Sequence, residues 1–197
     1  MQAIYKLIGR LTTNDVPALL VGDPGTGRHL VAATIHANSA RRTGPLVHVA
    51  CETISDAELR SELASAASGT LHLEDVERLS RTAQVSVTNL LRGGPAHDGS
   101  GAARILASTS RDLEGDIRDG HFSRELWEAL SVITMSLPPL RERRDDIVEL
   151  VHHFVARANT ELGRSFKGVD DQVARRLQKH AWSGNVGELE RTIRRAC

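Results

Sequence analysis

The sequence lacks a long apolar run, a set of paired cysteines and an excess of charge of either sign. No stretch approaches the roughly 20 apolar residues that a membrane-spanning helix needs, and the opening MQAIYKLIGR lacks the apolar core of a signal peptide. The only cysteines, Cys51 and Cys197, cannot build a disulfide framework, which favours the reducing environment of the cytoplasm. The formal net charge of zero argues against a broad basic face for nucleic acid.

The remaining composition is typical of a globular protein with a core. Apolar residues make up 40% of the 197 positions and charged residues 25%, a balance that lets one or two small domains bury an apolar interior. Lysine is scarce: Lys6, Lys167 and Lys179 are the only three, and arginine supplies the other basic side chains. The scarcity matters because lysine and arginine present their charge to phosphate differently.

Short apolar strands alternate with helical segments up to residue 138. This order predicts an α/β fold with a five-stranded parallel sheet covered by helices on both faces. After Pro138-Pro139 every segment is helical, so we expect an α/β domain over residues 1–138 and a small all-α subdomain over residues 139–197. The predicted strands are 17–21, 46–49, 70–73, 104–108 and 132–137; the predicted helices are 2–12, 28–36, 56–66, 81–91, 144–162, 169–180 and 186 onward.

Two further local features concern a loop and the last helix. Gly93–Gly101 (GGPAHDGSG) is typical of a surface loop. Asn185 followed three residues later by Glu188 predicts a capped helix start. That helix is still running at Cys197, so the chain is expected to stop inside a longer protein.

A glycine-rich loop follows the first predicted strand and opens a helix. In Gly22–Gly27 (GDPGTG) the glycines let backbone N–H groups approach an anion, and the helix dipole adds attraction. A full phosphate-binding loop continues with Lys and Ser or Thr, whereas here Arg28 and His29 follow. Arginine keeps the charge in a longer, planar shape, and histidine offers no hydroxyl to magnesium. A plain glycine turn stays open as the alternative.

Five segments of the chain carry motifs. They are Gly22–Leu30 (GDPGTGRHL), Ser68–Asp75 (SGTLHLED), Arg104–Leu113 (RILASTSRDL), Leu137–Ile147 (LPPLRERRDDI) and Ala181–Leu189 (AWSGNVGEL). In this order they resemble a known family, the NtrC-type activators that work with sigma-54 RNA polymerase. The first three are similar to that family's GESGTGKEL, GGTLFLDE and RIIAATNRDL, the fourth is nearly identical to a family signature, and the fifth is similar to WPGNVREL. The resemblance implies an AAA+ P-loop αβα sandwich with a helical lid.

The resemblance implies a site for ATP or ADP, with or without Mg²⁺. The family's Walker B strand ends in Asp-Glu, whereas this chain has the swapped pair Glu74-Asp75. Without the resemblance, that pair would be an ordinary acidic strand end. The candidate cofactor-binding residues are Gly22, Asp23, Pro24, Gly25, Thr26, Gly27, Arg28, His29, Leu30, Glu74 and Asp75.

Other departures fall where the family carries out hydrolysis. The sensor-I asparagine corresponds to Ser110, and the two arginines that reach a neighbour's γ-phosphate correspond to Ser123 and Ala129. The lid's sensor-II arginine corresponds to Gly187. Arg124 is adjacent to Ser123. It either replaces in part the arginine that the family has at Ser123 or is a solvated surface arginine, and we favour the second. Losing an arginine finger alone costs about 10³–10⁵ in rate, so the resemblance implies very weak or lost ATP hydrolysis and no assigned catalytic residue.

The family's sigma-54-contacting loop, with the motif GAFTGA, is also missing. Between Leu63 and Gly69 the chain runs straight into the third predicted strand. The resemblance therefore implies a regulator that works with housekeeping, sigma-70-type polymerase.

Three hypotheses follow for function. The first is a self-associating regulatory module that binds nucleotide, contacts RNA polymerase holoenzyme and presents a DNA-binding domain outside this chain. The second is a slow but genuine ATPase that remodels polymerase, and the third is an oligomerisation domain without nucleotide.

The remaining candidate residues indicate structure more than chemistry. The adjacent His152 and His153 point about 100° apart on a helix and cannot share a metal, so no metal site is expected. Cys51 is expected to be a buried thiol. Trp127 and Trp182 lie on apolar helix faces and are expected in the core.

Overall fold

The computed structural model describes residues 2–93 and 101–197, so most of the predicted loop at Gly93–Gly101 lies outside the described residues. The chain divides into two compact units. The first comprises the chain up to Gly22 together with Arg28–Leu137, and the second comprises Asp23–Gly27 together with Pro138–Cys197.

The first unit is built on a five-stranded, all-parallel sheet with the order β2-β3-β4-β1-β5. This confirms the predicted sheet. The strands are β1 (Ala18–Val21), β2 (Leu46–Ala50), β3 (Thr70–Glu74), β4 (Arg104–Thr109) and β5 (Ile133–Ser136). The helices are α1 (Gln2–Thr12), α2 (Arg28–Ala37), α3 (Asp56–Ser65), α4 (Arg81–Gly93), α5 (Leu113–Arg118) and α6 (Arg124–Leu130), with a 3₁₀ turn at Val76–Arg78.

The central strands are almost entirely buried because both faces of the sheet are covered. Every residue of β4 is buried, and its side chains alternate between two cores. Ile105 and Ala107 pack in one core with residues of α4 and α6. Leu106 packs in the other with residues of α1 and α2. The sheet is therefore the middle layer of an αβα sandwich.

The second unit is helical apart from the short segment Asp23–Gly27. Its helices are α7 (Asp146–Leu162), α8 (Asp171–Lys179) and α9 (Asn185–Ala196), preceded by a 3₁₀ turn at Leu140–Glu142. Its hydrophobic core includes the buried side chains of Val151, Trp182, Leu189 and Ile193. The indole N–H of Trp182 donates to the Leu177 carbonyl at 2.7 Å, so the buried ring keeps its polar atom satisfied. Trp182 is a core residue, as predicted, but it lies in the connection between α8 and α9 and not on a helix face.

Asn185 does not cap α9, and that prediction is wrong. Gly184 occupies the cap position, and Asn185 is the first helical residue with a left-handed φ of 53°. Its side chain is buried, accepting from the Leu140 N–H at 2.8 Å and donating to the Pro24 carbonyl at 2.9 Å. The amide is thus hydrogen-bonded to two backbone groups, of which the Leu140 N–H is buried. Glu188 still contributes, because its carboxylate accepts from the Gly184 N–H at 2.8 Å.

Within the described residues, no helix is both long enough and apolar enough to cross a membrane.

Candidate functional site

The loop between β1 and α2 is a glycine-dependent turn. The Gly22 N–H donates to the Thr109 carbonyl at 3.1 Å, which continues the sheet beyond β1. The N–H and hydroxyl of Thr26 both donate to the Asp23 carbonyl, at 3.2 and 2.8 Å. Gly25 and Gly27 adopt φ values of 78° and 105°, a region that side-chain-bearing residues rarely enter.

Gly25 is required for a second reason, which is space. A Cβ at this position would lie 2.4 Å from the carbonyl oxygen of Gly184, closer than van der Waals contact permits. The Gly25 carbonyl in turn accepts from the Val186 N–H at 3.0 Å. The glycine therefore allows the backbone of the loop to pack directly on the start of α9.

Two arginine side chains contact the loop at Asp23–Gly27. Arg143 donates to the Thr26 carbonyl at 2.8 Å, and Arg141 lies 3.3 Å from the Asp23 carboxylate. Both arginines belong to the signature LPPLRERRDDI, so the signature has a structural role in fixing the loop.

The start of α2 offers free donors. Among the described residues, the backbone N–H groups of Gly27, Arg28 and His29 have no hydrogen-bond acceptor. Such N–H groups are the orphan donors of a helix N-terminus, and together with the helix dipole they suit an anion such as phosphate.

The guanidinium of Arg28 forms an ion pair with Asp75. Its Nη1 lies 2.9 Å from Oδ1 of Asp75, and the Arg28 side chain is only 9% exposed. Asp75 directly follows β3 with a left-handed φ of 51°. The two residues predicted to serve a nucleotide, one from the loop and one from the acidic pair, are therefore joined in an ion pair.

The other predicted site residues are placed differently. Glu74 ends β3, and its Oε1 lies 3.9 Å from Nδ1 of His29. Leu30 is 69% exposed and has no part in the turn. The structure thus brings Arg28, His29, Glu74 and Asp75 together and leaves the Leu30 side chain in solvent.

Two of the positions at which the family's hydrolytic residues are predicted to be replaced, Ser123 and Gly187, lie at the starts of helices. Ser123 caps α6, with its hydroxyl accepting from the Leu126 N–H at 3.2 Å. Arg124 is exposed. Gly187 lies in the first turn of α9, where the nearest atom to an added Cβ would be a guanidinium nitrogen of Arg191 at 3.4 Å.

The connection from α3 to β3 is four residues long, 66–69. The Ala66 N–H donates to the Glu62 carbonyl at 2.9 Å, and the Gly69 N–H donates to the Ala66 carbonyl at 2.8 Å. A Cβ at Gly69 would lie 2.0 Å from the Pro45 carbonyl oxygen. The connection is a tight turn packed on its neighbours.

Three histidines that are distant in sequence meet beside the acidic pair. His48 of β2 and His72 of β3 are register partners, so their side chains leave the sheet on the same face, and their Nδ1 atoms are 3.1 Å apart. His29, in the first turn of α2, stacks on His48 with ring centroids 3.7 Å apart. One ring nitrogen from each of the three lies within 4.8 Å of the others.

His72 is the buried member of this group. Its Nε2 lies 3.1 Å from the hydroxyl of the buried Ser108 on β4. Burial, assisted by the neighbouring His48, lowers the pKa of His72 to about 3. Its imidazole is therefore neutral near pH 7, with Ser108 fixing the ring orientation.

Sequence spacing gave no indication of this cluster, because its members are 19 and 24 residues apart. The usable signal was the strand register: once β2 and β3 are aligned as neighbours, His48 and His72 fall opposite each other.

Cys51 is buried, as predicted. Burial is the main cause that raises the pKa of its thiol, and the nearby carboxylates raise it further.

The sequence matches two family models that together cover the chain. Residues 1–140 match the sigma-54 interaction domain, and residues 141–197 match an AAA+ ATPase lid domain. The chain is 34% identical over 220 aligned positions to the DNA-binding transcriptional regulator NtrC of Rhizobium meliloti (strain 1021), covering 99% of this chain and 45% of the relative. It is 33% identical to the nitrogen fixation protein VnfA of Azotobacter vinelandii, covering 100% of this chain and 42% of that protein. The chain thus spans less than half the length of these relatives.

Solved structures give the same result. NtrX from Brucella abortus in complex with ADP superposes with a TM-score of 0.89 at 29% identity, covering 98% of this chain and 48% of that one. The same protein in complex with ATP gives a TM-score of 0.87 at 29% identity, covering 99% and 50%. The RuvB branch migration motor of Thermotoga maritima, at 15% identity, shares the fold with a TM-score of 0.72, covering 99% of this chain and 61% of that one.

Proposed function

The chain belongs to the sigma-54 interaction domain family, as the central AAA+ domain of an NtrC-type regulator, and from that membership we propose a regulatory module that binds ATP or ADP and hydrolyses ATP very slowly or not at all. The observation that carries the proposal is the ion pair between Arg28 and Asp75. The loop's cation and one carboxylate of the acidic pair are engaged with each other.

Nucleotide binding rests on the backbone of the loop. The free N–H groups of Gly27, Arg28 and His29 at the start of α2 suit phosphate oxygens. Gly25 and Gly27 hold the backbone in the conformation that presents them. NtrX, a structural relative at 29% identity, is known in complexes with ADP and ATP. Mg²⁺ matters less here than in an active ATPase, because His29 supplies no hydroxyl ligand.

The affinity should be modest. A charge-assisted hydrogen bond contributes about 1.5–3 kcal/mol, and a phosphate must compete with Asp75 for Arg28. Gly187 removes the lid arginine that the family uses. Losing one or two such contacts moves a micromolar site towards the millimolar range, which still overlaps cellular ATP.

Slow hydrolysis follows from the residues at the reactive positions. Ser110, Ser123 and Ala129 stand where the family has its sensor asparagine and finger arginines. Ser123 has another role as the cap of α6. A missing finger alone costs about 10³–10⁵ in rate. The retained carboxylates of Glu74 and Asp75 keep a slow, genuine ATPase as the second candidate.

We also propose that the full-length protein works with sigma-70-type RNA polymerase. The four-residue connection at 66–69 leaves no projecting loop between α3 and β3. The alignment to NtrC runs over 220 positions against the 197 residues of this chain, so the relative carries segments that this chain lacks. Self-association, a cytoplasmic location and DNA contact through another domain complete the proposal.

Calorimetric titration with ADP and ATP tests the binding proposal. We expect saturable heat at micromolar to millimolar nucleotide, weaker binding in Arg28→Ala, and unchanged binding in Arg60→Ala, an exposed arginine on α3. If millimolar nucleotide gives no heat, and Arg28→Ala behaves like the parent chain, the loop is a plain turn.

The polymerase proposal needs reconstituted transcription with the full-length protein. Activation with the sigma-70-type holoenzyme in the absence of sigma-54 supports it. Open-complex formation on a sigma-54 promoter that depends on this protein contradicts it.

A further inference from the structure

The histidine cluster has the geometry of a metal-ligand set. The Nδ1 atoms of His48 and His72 are 3.1 Å apart. Two nitrogen ligands of one tetrahedral Zn²⁺ ion, each bonded at 2.0–2.1 Å, are roughly 3.3 Å apart. A ring nitrogen of His29 lies within 4.8 Å of both. Rotation of the side chains, above all of the stacked His29 and His48 rings, is needed to bring all three nitrogens to ligand distance.

The backbone fixes the positions from which the three histidine side chains extend. His48 and His72 are register partners on adjacent parallel strands. Their backbones therefore cannot shift relative to each other without breaking the hydrogen bonds between the strands. His29 lies in the first turn of α2, on the face of the sheet that both strands present to it. The three ligands thus come from three elements with fixed mutual positions.

The buried ligand also has an outer partner. The Nε2 of His72 lies 3.1 Å from the Ser108 hydroxyl. In the tautomer in which Nε2–H donates to Ser108, Nδ1 carries the lone pair that faces His48. Metal-bound histidines nearly always engage their second nitrogen in this way, which fixes tautomer and ring orientation. In the motifs that this chain resembles, Phe stands at the position of His72 and Ala at that of Ser108, so the pair is a joint departure from the family pattern.

We propose that His29, His48 and His72 bind one divalent transition-metal ion of the Zn²⁺ class, at a site separate from any Mg²⁺ that accompanies nucleotide. Imidazole ligands suit Zn²⁺ and its neighbours, whereas Mg²⁺ requires oxygen ligands. His29 and His48 are exposed, so the fourth position is open to water. The carboxylate of Glu74, 3.9 Å from Nδ1 of His29, is one protein group on hand to take it.

The stacked rings of His29 and His48 must splay for both lone pairs to reach one ion, since they are now only 21° from parallel. Both rings are exposed, so this rotation disrupts little packing. The bound ion would join the first turn of α2 to β2 and β3, directly beside the phosphate-type loop.

The test is a titration of the untagged, chelator-treated chain with Zn²⁺, and with Co²⁺ as a spectroscopic probe. We expect one ion per chain with micromolar or tighter affinity, and the visible bands of tetrahedral Co²⁺ without a thiolate charge-transfer band. Millimolar Mg²⁺ should not displace it. Failure of the folded parent chain to bind Zn²⁺ overturns the proposal.

Matched variants locate the site. His29→Ala and His48→Ala alter exposed residues and should each weaken Zn²⁺ binding by at least about 10-fold, and Ser108→Ala should weaken it by about 10–100-fold through loss of the outer partner. His121→Ala, an exposed histidine outside the cluster, should bind like the parent chain. Equal affinity in His29→Ala, His48→Ala and the parent chain overturns the proposal. Because both altered positions are exposed, the comparison holds even if changes at the buried His72 disturb folding.

Discussion

Nη1 of Arg28 lies 2.9 Å from Oδ1 of Asp75, and this ion pair joins the first residue of α2 to the residue that follows β3. The arginine side chain is 9% exposed and the aspartate side chain 43%. Because Asp75 is partly solvated, the pair itself stabilises the fold by less than about 1 kcal/mol. In the proposed nucleotide site, the pair occupies the cation that a phosphate would otherwise use.

Asp75→Asn should therefore tighten nucleotide binding. The change releases Arg28 and removes a negative charge near the phosphates. We expect up to about a 10-fold lower Kd for ADP, within the range of one charge-assisted contact. Measurement in chelator without Mg²⁺ separates this effect from any metal role of Asp75.

The matched control is Glu114→Gln, an exposed carboxylate on α5, which should leave the Kd unchanged. Unchanged or weaker ADP binding in Asp75→Asn would show that the ion pair does not compete with phosphate.

Asn185→Ala should destabilise the chain by about 2–4 kcal/mol. The buried amide makes hydrogen bonds to the Leu140 N–H and the Pro24 carbonyl. Removing it leaves the buried Leu140 N–H unsatisfied and loses the bond to the Pro24 carbonyl. Alanine is also strained at the φ of 53°. Urea unfolding measures the free-energy change.

Asn185→Gly distinguishes the two causes. Glycine accepts the left-handed conformation, so this variant should lose the hydrogen bonds but not incur the strain. If Asn185→Ala costs under about 0.5 kcal/mol, the amide has no such role.

Arg104→Ala should cost about 2–4 kcal/mol in unfolding free energy. The Arg104 side chain is buried and donates to the Leu11 carbonyl at 2.7 Å and to the Val16 carbonyl at 3.3 Å. Burial, as the main cause, lowers its pKa. The truncation leaves buried acceptors unpaired and a cavity behind. Denaturant unfolding of Arg104→Ala beside Arg60→Ala checks this, because the exposed Arg60 should contribute less than about 0.5 kcal/mol. Equal stability of the two variants would contradict it.

The sequence predicted the framework because its signals are local or repeated. Buried strands such as β4 appear as short apolar runs between turn residues, and their alternation with helices implies a parallel sheet. The short helices α5 and α6 escaped prediction because six or seven residues give too few turns for periodicity. The glycine loop was recognisable because positive φ and close approach restrict which residues can stand there.

Contacts between distant residues could not be predicted in the same way. The sequence identified Arg28 and Asp75 as candidate site residues. Their ion pair could not be predicted, because it depends on how α2 packs against β3. The histidine cluster depends on the register of β2 and β3. Asn185 is a residue type that commonly caps helices. In the structure its side chain is buried, and its amide is hydrogen-bonded to the Leu140 N–H and the Pro24 carbonyl and does not cap the helix.

Nucleotide binding without turnover can be tested on one preparation of the chain. Calorimetry with ATP and ADP is followed by phosphate-release measurements on the same sample at saturating ATP and Mg²⁺. We expect saturable binding with a Kd between micromolar and millimolar, together with phosphate release far below about 1 s⁻¹ per chain, the lower end of ordinary enzymes. Release near about 1 s⁻¹ would contradict it and favour the slow ATPase.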